Sequence, residues 1–217
     1  MRVVVGIDLG STTTKAVLLD TDRRVVGKGI TNSRSNYEVA CAVAREEALA
    51  DARFTLLRRE LERRGQAGKL APIQETFRLE AYLAQLASLE REIARSLRSL
   101  TYHGDRASLA PAAEEVATMM RAEAEQLFGS DVNRKSDFFR DLASASFMAA
   151  AEKIASTGRA SFDRLSSLFD RAILDVETRI ETRDVLALIR KAAARHGREG
   201  RVEVNPSAAP FRIVVPT

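Results

Sequence analysis

The feature that most constrains this chain lies at its amino end. Residues 1–15 read M-R-V-V-V-G-I-D-L-G-S-T-T-T-K, and A-V-L-L-D follows at once. An apolar run over 3–7 delivers Asp8, a turn follows at Gly10–Ser11–Thr12–Thr13, and a second apolar run over 16–19 leads away. Apolar runs this short, broken by Gly and hydroxyl residues, predict a β-hairpin with one carboxylate, small hydroxyl side chains and one lysine at its tip.

Such a tip has the chemistry to hold a polyphosphate. Gly10 has no Cβ, so the backbone can approach a ligand closely and positive φ is permitted. Ser11, Thr12 and Thr13 offer N–H and O–H donors. Lys15 adds a compact positive charge with reach toward an outer phosphate. Asp8 is placed to hold Mg²⁺ through water, because magnesium keeps much of its hydration shell. The pattern is not a Walker A loop, since G-x-x-x-x-G-K-[ST] is missing and no helix follows the glycine. D-x-G-S by itself also fits an ordinary hairpin turn. The flanking strands, the threonine run and Lys15 favour phosphate.

D-x-G-[ST]-x-x-x-K between two apolar strands resembles the first phosphate motif of the actin, sugar-kinase and heat-shock-chaperone ATPase superfamily. Within it, G-I-D-L-G-S-T-T-T-K-A-V-L-L-D over 6–20 is similar to the start of the activator ATPases of 2-hydroxyacyl-CoA dehydratases. It is also similar to the start of the ATPase subunits of ATP-dependent benzoyl-CoA reductase. G-I-T-N-S-R-S-N-Y over 29–37 and E-E-A-L-A-D-A-R-F over 46–54 most resemble the larger of those ATPase subunits. The resemblance covers about the first fifty-five residues, and no short motif extends it into the middle of the chain.

The resemblance implies an α/β fold: the first part of an actin-like, ribonuclease-H-like ATPase lobe carrying a large all-helical insertion. It divides the chain into a hairpin and strand segment over 1–35, a helical insertion over 36–200 and a returning strand over 201–217. That last strand stops at the entry to the next phosphate-contacting region, so the expectation is an N-terminal portion of a longer subunit. The implied activity is ATP binding and hydrolysis coupled to low-potential electron transfer for acyl-CoA reduction. Asp8 would be the catalytic and Mg²⁺-holding residue, with Gly10, Ser11, Thr12, Thr13 and Lys15 around the phosphates. ATP, Mg²⁺ and a 4Fe–4S cluster are the implied cofactors. The implied partners are a sister ATPase subunit, the reductase subunits and ferredoxin as electron donor, with the helical segment as the docking element. A non-catalytic helical interaction fragment and a sugar- or acetate-kinase relative remain as alternatives. The kinases need a second lobe and a further catalytic carboxylate, neither of which is visible in the sequence.

Composition narrows the classes further. The net charge of +4 arises from 34 basic and 30 acidic residues that are finely interspersed. That is a salt-bridge-laced surface rather than a nucleic-acid patch. No apolar run approaches the roughly twenty residues a membrane span requires, and the N-terminal run, interrupted by Asp8, has no small-residue cleavage site. No nucleic acid, no membrane and a cytoplasmic setting are expected. Cys41 is the single cysteine, which precludes an internal disulfide. On a helix it reads as a small buried hydrophobe. The cluster cysteines of the resembled subunits lie later in their sequences, so this chain carries no visible cluster ligand.

Periodicity fills in the remainder. Strands are expected over 2–9, 13–20 and 24–31, with Gly27 and Gly29 marking a bulge or close packing. Ser35 and Glu38 form S-x-x-E, which starts a helix near Asn36 that ends near Gly65–Gly68. Further helices are expected from Pro72 to about His103, from Ser108 or Pro111 to Phe128, over 136–156, over 161–178 and over 182–196. Leu79, Tyr82, Leu86, Leu89 (or Glu90), Ile93, Leu97 and Leu100 form the apolar stripe of the second helix. His103 has no nearby His or Cys and reads as a loop residue. The polar loop at 32–34 follows a strand, where it either meets substrate, nucleotide or partner, or simply connects. Short strands are expected at 201–204 and 211–215.

Overall fold

The computed structural model describes residues 2–33, 36–99, 103–128, 136, 138–178, 184–197 and 212–213. The chain is mixed α/β and mostly helical. Its elements run β1 (Arg2–Leu9), β2 (Thr13–Leu19), β3 (Val25–Asn32), α1 (Tyr37–Arg63), α2 (Leu70–Ser99), α3 (His103–Leu127), α4 (Phe139–Ala155), α5 (Phe162–Thr178), α6 (Val185–Gly197) and β4 (Arg212–Ile213). None of the described helices is long and apolar enough to cross a membrane.

Two compact units emerge. One comprises Met1–Phe77 and Ile180–Thr217, the other Arg78–Arg179. The helical segment expected over 36–200 is therefore divided between them, and the division falls inside α2.

In the first unit the strands lie in the order β3-β2-β1-β4. β1 and β2 pair antiparallel, as do β2 and β3, whereas β4 joins β1 in parallel through Arg2↔Arg212 and Val3↔Ile213. The period-two alternation of a strand puts Val3, Ala16 and Leu18 on one face, where they are buried. Helix α1 covers that face with Ala44, Ala48 and Ala52, one small residue every fourth position and each fully buried.

This helix sits unusually close to the strands, and Gly27 and Gly29 are the reason. A Cβ on Gly29 would fall 2.1 Å from the Ala44 carbonyl oxygen, and one on Gly27 would fall 2.2 Å from that of Ala48. Both expectations for these glycines hold: the backbones approach closely, and the β2–β3 register shifts between Leu18 and Leu19, opposite the stretch around Val26. Asp51 of α1 fastens the outer edge of β3 by accepting from the Lys28 N–H at 2.9 Å, which also blunts an exposed strand edge.

Asn36 caps α1. Its Oδ1 accepts from the Glu38 N–H at 3.0 Å and the Val39 N–H at 3.3 Å, the usual way to satisfy orphan donors of a first turn. The expected capping serine, Ser35, lies outside the described residues. At the far end Glu60 accepts from both Arg63 and Arg64. The Arg63 hydrogen bond first, then that of Arg64, draws its carboxyl pKa down to about 2. The rest of this unit packs Phe54, Leu57 and Leu61 of α1 with Ile73 of α2 and Ile189 and Ala192 of α6. His196 Nε2 and Thr76 Oγ1, 2.6 Å apart, tie α6 to the start of α2.

The second unit is a helical core of another kind. Leu79, Tyr82, Leu86, Leu89, Ile93 and Leu97 of α2 meet Val116 and Met120 of α3, Phe147 and Ile154 of α4, and Leu165, Phe169 and Ile173 of α5. Leu89, rather than Glu90, continues the stripe. The Phe147 and Phe169 rings lie 4.5 Å apart, and Tyr82 stacks between Phe128 and Phe139 at 5.4 and 5.6 Å, within the range of favourable aromatic pairs. Arg159, just past α4, grips Glu115 of α3 with two hydrogen bonds of 2.6 and 3.0 Å.

The start of α3 differs from expectation. α3 begins at His103, which is therefore a helix-opening residue and not a loop histidine, and Pro111 lies inside the helix. Proline suits the first turn of a helix, which is why the sequence points to a start there. Here the buried positions Leu109, Ala112, Ala113 and Val116 hold the helix together across it. The strand expected at 201–204 and residue Leu100 lie outside the described residues.

Candidate functional site

The β1–β2 hairpin tip is built from four residues and locked from a third strand. Leu9 pairs with Thr14, so Gly10, Ser11, Thr12 and Thr13 turn the chain. The Gly10 N–H donates to the Thr13 carbonyl at 3.0 Å. A Cβ on Gly10 would stand 2.7 Å from that same oxygen. Glycine is thus required here by close approach. Its φ is not positive, contrary to one of the two roles expected for it, because the positive-φ glycines among the described residues are Gly65 and Gly158.

Asp8 and Lys15 are direct cross-strand partners. Directly opposed residues project from the same sheet face with Cβ atoms about 5 Å apart. By alternation that face is opposite the one covered by α1. Both side chains are exposed, and among the described residues neither has an ion-pair partner. The carboxylate and the ammonium therefore stand side by side one ladder pair before the turn, with Leu9 and Thr14 between them and the tip. Ser11 and Thr12 are exposed at the tip itself, and Gly10 and Thr13 are half-buried.

All six expected residues, Asp8, Gly10, Ser11, Thr12, Thr13 and Lys15, therefore meet at one end of one hairpin. An exposed carboxylate can hold a hydrated divalent cation, and the adjacent ammonium and tip donors can meet phosphate oxygens. Mg²⁺ and a nucleoside triphosphate fit these donors chemically. A 4Fe–4S cluster does not, because such clusters are held by several thiolates. Cys41, the only cysteine of the chain, lies half-buried on α1. Among the described residues no group of three or more His, Cys, Asp or Glu is arranged to hold a metal ion.

Sequence reasoning left one participant without a role. Ser33, just beyond β3 in the loop expected either to meet a ligand or merely to connect, reaches the tip with both backbone and side chain. Its N–H donates to the Thr12 carbonyl at 2.7 Å and its hydroxyl to the Gly10 carbonyl at 2.5 Å. Its Oγ also lies 3.0 Å from the Oγ1 of the fully buried Thr14. The signal in the sequence was only a serine one residue after a strand, which has no fixed meaning without the strand pairing.

Comparison with known protein families, with curated proteins and with solved structures gave no match to this chain.

Proposed function

We propose that the β1–β2 tip binds the phosphates of Mg-ATP. On this reading Asp8 holds the hydrated cation, Gly10–Ser11–Thr12–Thr13 lies along the phosphates and Lys15 meets the outer phosphate charge. The observation that carries it is the register placing Asp8 opposite Lys15 one ladder pair from a four-residue tip. Both groups are free of competing ion pairs among the described residues.

The wider reading is an actin-like, ribonuclease-H-like ATPase lobe in the ATPase subunit of a benzoyl-CoA reductase-like system. The motif D-x-G-S-x-x-x-K supports it. So does the sheet order, with an antiparallel three-strand start and a later strand returning parallel to β1 across a long helical excursion. In such a system ATP hydrolysis would drive a low-potential electron from ferredoxin, through a cluster held with a sister subunit, toward reductase subunits acting on an acyl-CoA. The contribution of this chain would be nucleotide binding, with its helices as docking surface, in the cytoplasm. Cys41 supplies no cluster site, so no electron-transfer step is assigned to residues of this chain.

The test is Mg-ATP binding by calorimetry and phosphate release, comparing the protein with Asp8→Ala. Binding that weakens at least about tenfold in the variant supports the assignment, in line with loss of a charged contact. Equal binding in both would remove Asp8 from the site.

A further inference from the structure

We propose that Ser33 is the positioning residue of the hairpin tip, ordering it for an anion from outside the motif. The inference rests on the phosphate-binding reading above and adds a residue that the motif does not contain.

A serine hydroxyl has one hydrogen to donate. Ser33 spends it on the Gly10 carbonyl, 2.5 Å away. The 3.0 Å contact between Ser33 Oγ and Thr14 Oγ1 must then run the other way, with Thr14 as donor. Thr14 is completely buried and sits opposite the buried Thr31 in the β2–β3 ladder, so the anchor of this chain of bonds is fixed. The Ser33 N–H holds the Thr12 carbonyl at 2.7 Å, and the Gly10 N–H holds that of Thr13 at 3.0 Å.

Three of the tip's carbonyl oxygens, those of Gly10, Thr12 and Thr13, are thereby engaged within the protein, two of them by Ser33 alone. Carbonyl oxygens are the groups that repel an anion. Engaging them internally removes that repulsion. Among the described residues the N–H groups of Ser11 and Thr12 have no hydrogen-bond partner, which leaves the tip a net donor. A tip held in this state before the ligand arrives avoids part of the ordering cost of binding. Ser33 touches no ligand in this scheme and acts through the backbone of Gly10 and Thr12.

The test uses the full chain with Ser33→Ala and the hydroxyl-retaining Ser33→Thr. Two quantities are read: amide hydrogen exchange at Gly10 without ligand, and the Kd for Mg²⁺ with a non-hydrolysable ATP analogue. Ser33→Ala is expected to speed Gly10 exchange and weaken binding, each by about tenfold. Amides of α1 and α4 should keep their rates, and Ser33→Thr should restore both readouts to within about threefold. Gly10 exchange within about twofold of the parent in Ser33→Ala would overturn the clamp, as would acceleration spread evenly over the protein. If Ser33→Ala does not fold, Ser33→Cys keeps the volume, weakens the donor and must show the same local acceleration. If the parent protein binds no nucleotide, the phosphate reading fails, whereas the exchange measurement still decides whether Ser33 orders the tip.

Discussion

The two units of this protein bury their interiors by opposite means. In the sheet unit, α1 meets β3 at Gly27 and Gly29 with its own backbone and Ala44, Ala48 and Ala52, so the contact is close and made largely by small residues. In the helical unit the contact is made by Leu, Met, Phe and Tyr side chains, with Phe147 and Phe169 fully enclosed. A close-packed interior tolerates neither a void nor an added atom, but the two units expose the two halves of that rule separately. The helical core is sensitive to deletion. The sheet interface is sensitive to addition, and it is the one that supports the hairpin carrying Asp8 and Lys15.

The largest effect expected is in the helical unit. Phe147→Ala removes a fully buried ring that stacks on Phe169 and should cost about 3–5 kcal/mol, read from chemical denaturation. Because the unit boundaries separate Phe147 from the hairpin, the Gly10 to Lys15 amide signals should persist while the helical unit loosens. Loss of both together would break the comparison.

Next comes Gly29→Ala. One methyl group would have to fit 2.1 Å from the Ala44 carbonyl and 2.6 Å from the Ala48 nitrogen, so α1 must move off the sheet. A destabilisation of about 1–3 kcal/mol or more is expected, with the hairpin signals shifting as the support withdraws. A neutral result would mean that α1 is not seated on the strands as described.

Tyr82→Phe should be close to neutral. The Tyr82 hydroxyl is buried with Ser146 placed for at most a weak hydrogen bond, and deleting so poorly paired a polar atom changes stability by no more than about 1 kcal/mol. Burial pushes the Tyr82 phenol up to about 12. A raised folded-state pKa contributes stability that is present below the unfolded value of 10.0 and is lost as pH rises toward 12. The variant should lack that alkaline loss in a stability–pH profile.

The smallest effect belongs to Glu60. Its lowered pKa contributes stability above the ordinary value of 4.5, lost as pH falls toward about 2. Because Glu60 and its arginines are surface groups, Glu60→Gln should change stability only slightly at neutral pH and flatten the profile in that acid window. A large change at neutral pH would show that the end of α1 matters more to its seating than the alanine stripe does.

Much of this was legible in the sequence, because the deciding forces were local. The three strands followed from their apolar runs and the polar turns between them, only the first of which contains glycine, and the α2 stripe from its leucine spacing. The close packing of Gly27 and Gly29 could be suspected from their placement in a strand, although their partners in α1 could not. The unit boundary was not legible. It falls within α2, where the apolar periodicity runs on unbroken from Ile73 to Leu97. The start of α3 was missed because Pro111 is a strong local helix-start signal, and buried neighbours on both sides overrode it. At the site, the residues of the motif came from sequence, whereas Ser33 required knowing that β3 lies beside β2 and ends level with the tip.

The central claim is that the β1–β2 tip holds the phosphates of a magnesium nucleotide. Amide chemical shifts recorded while Mg²⁺ and a non-hydrolysable ATP analogue are titrated into the protein test it most directly. The largest saturable changes should fall on Gly10, Ser11, Thr12, Thr13 and Lys15 and disappear in Asp8→Ala. Saturable changes centred elsewhere, or a tip that stays silent at millimolar nucleotide, would contradict it.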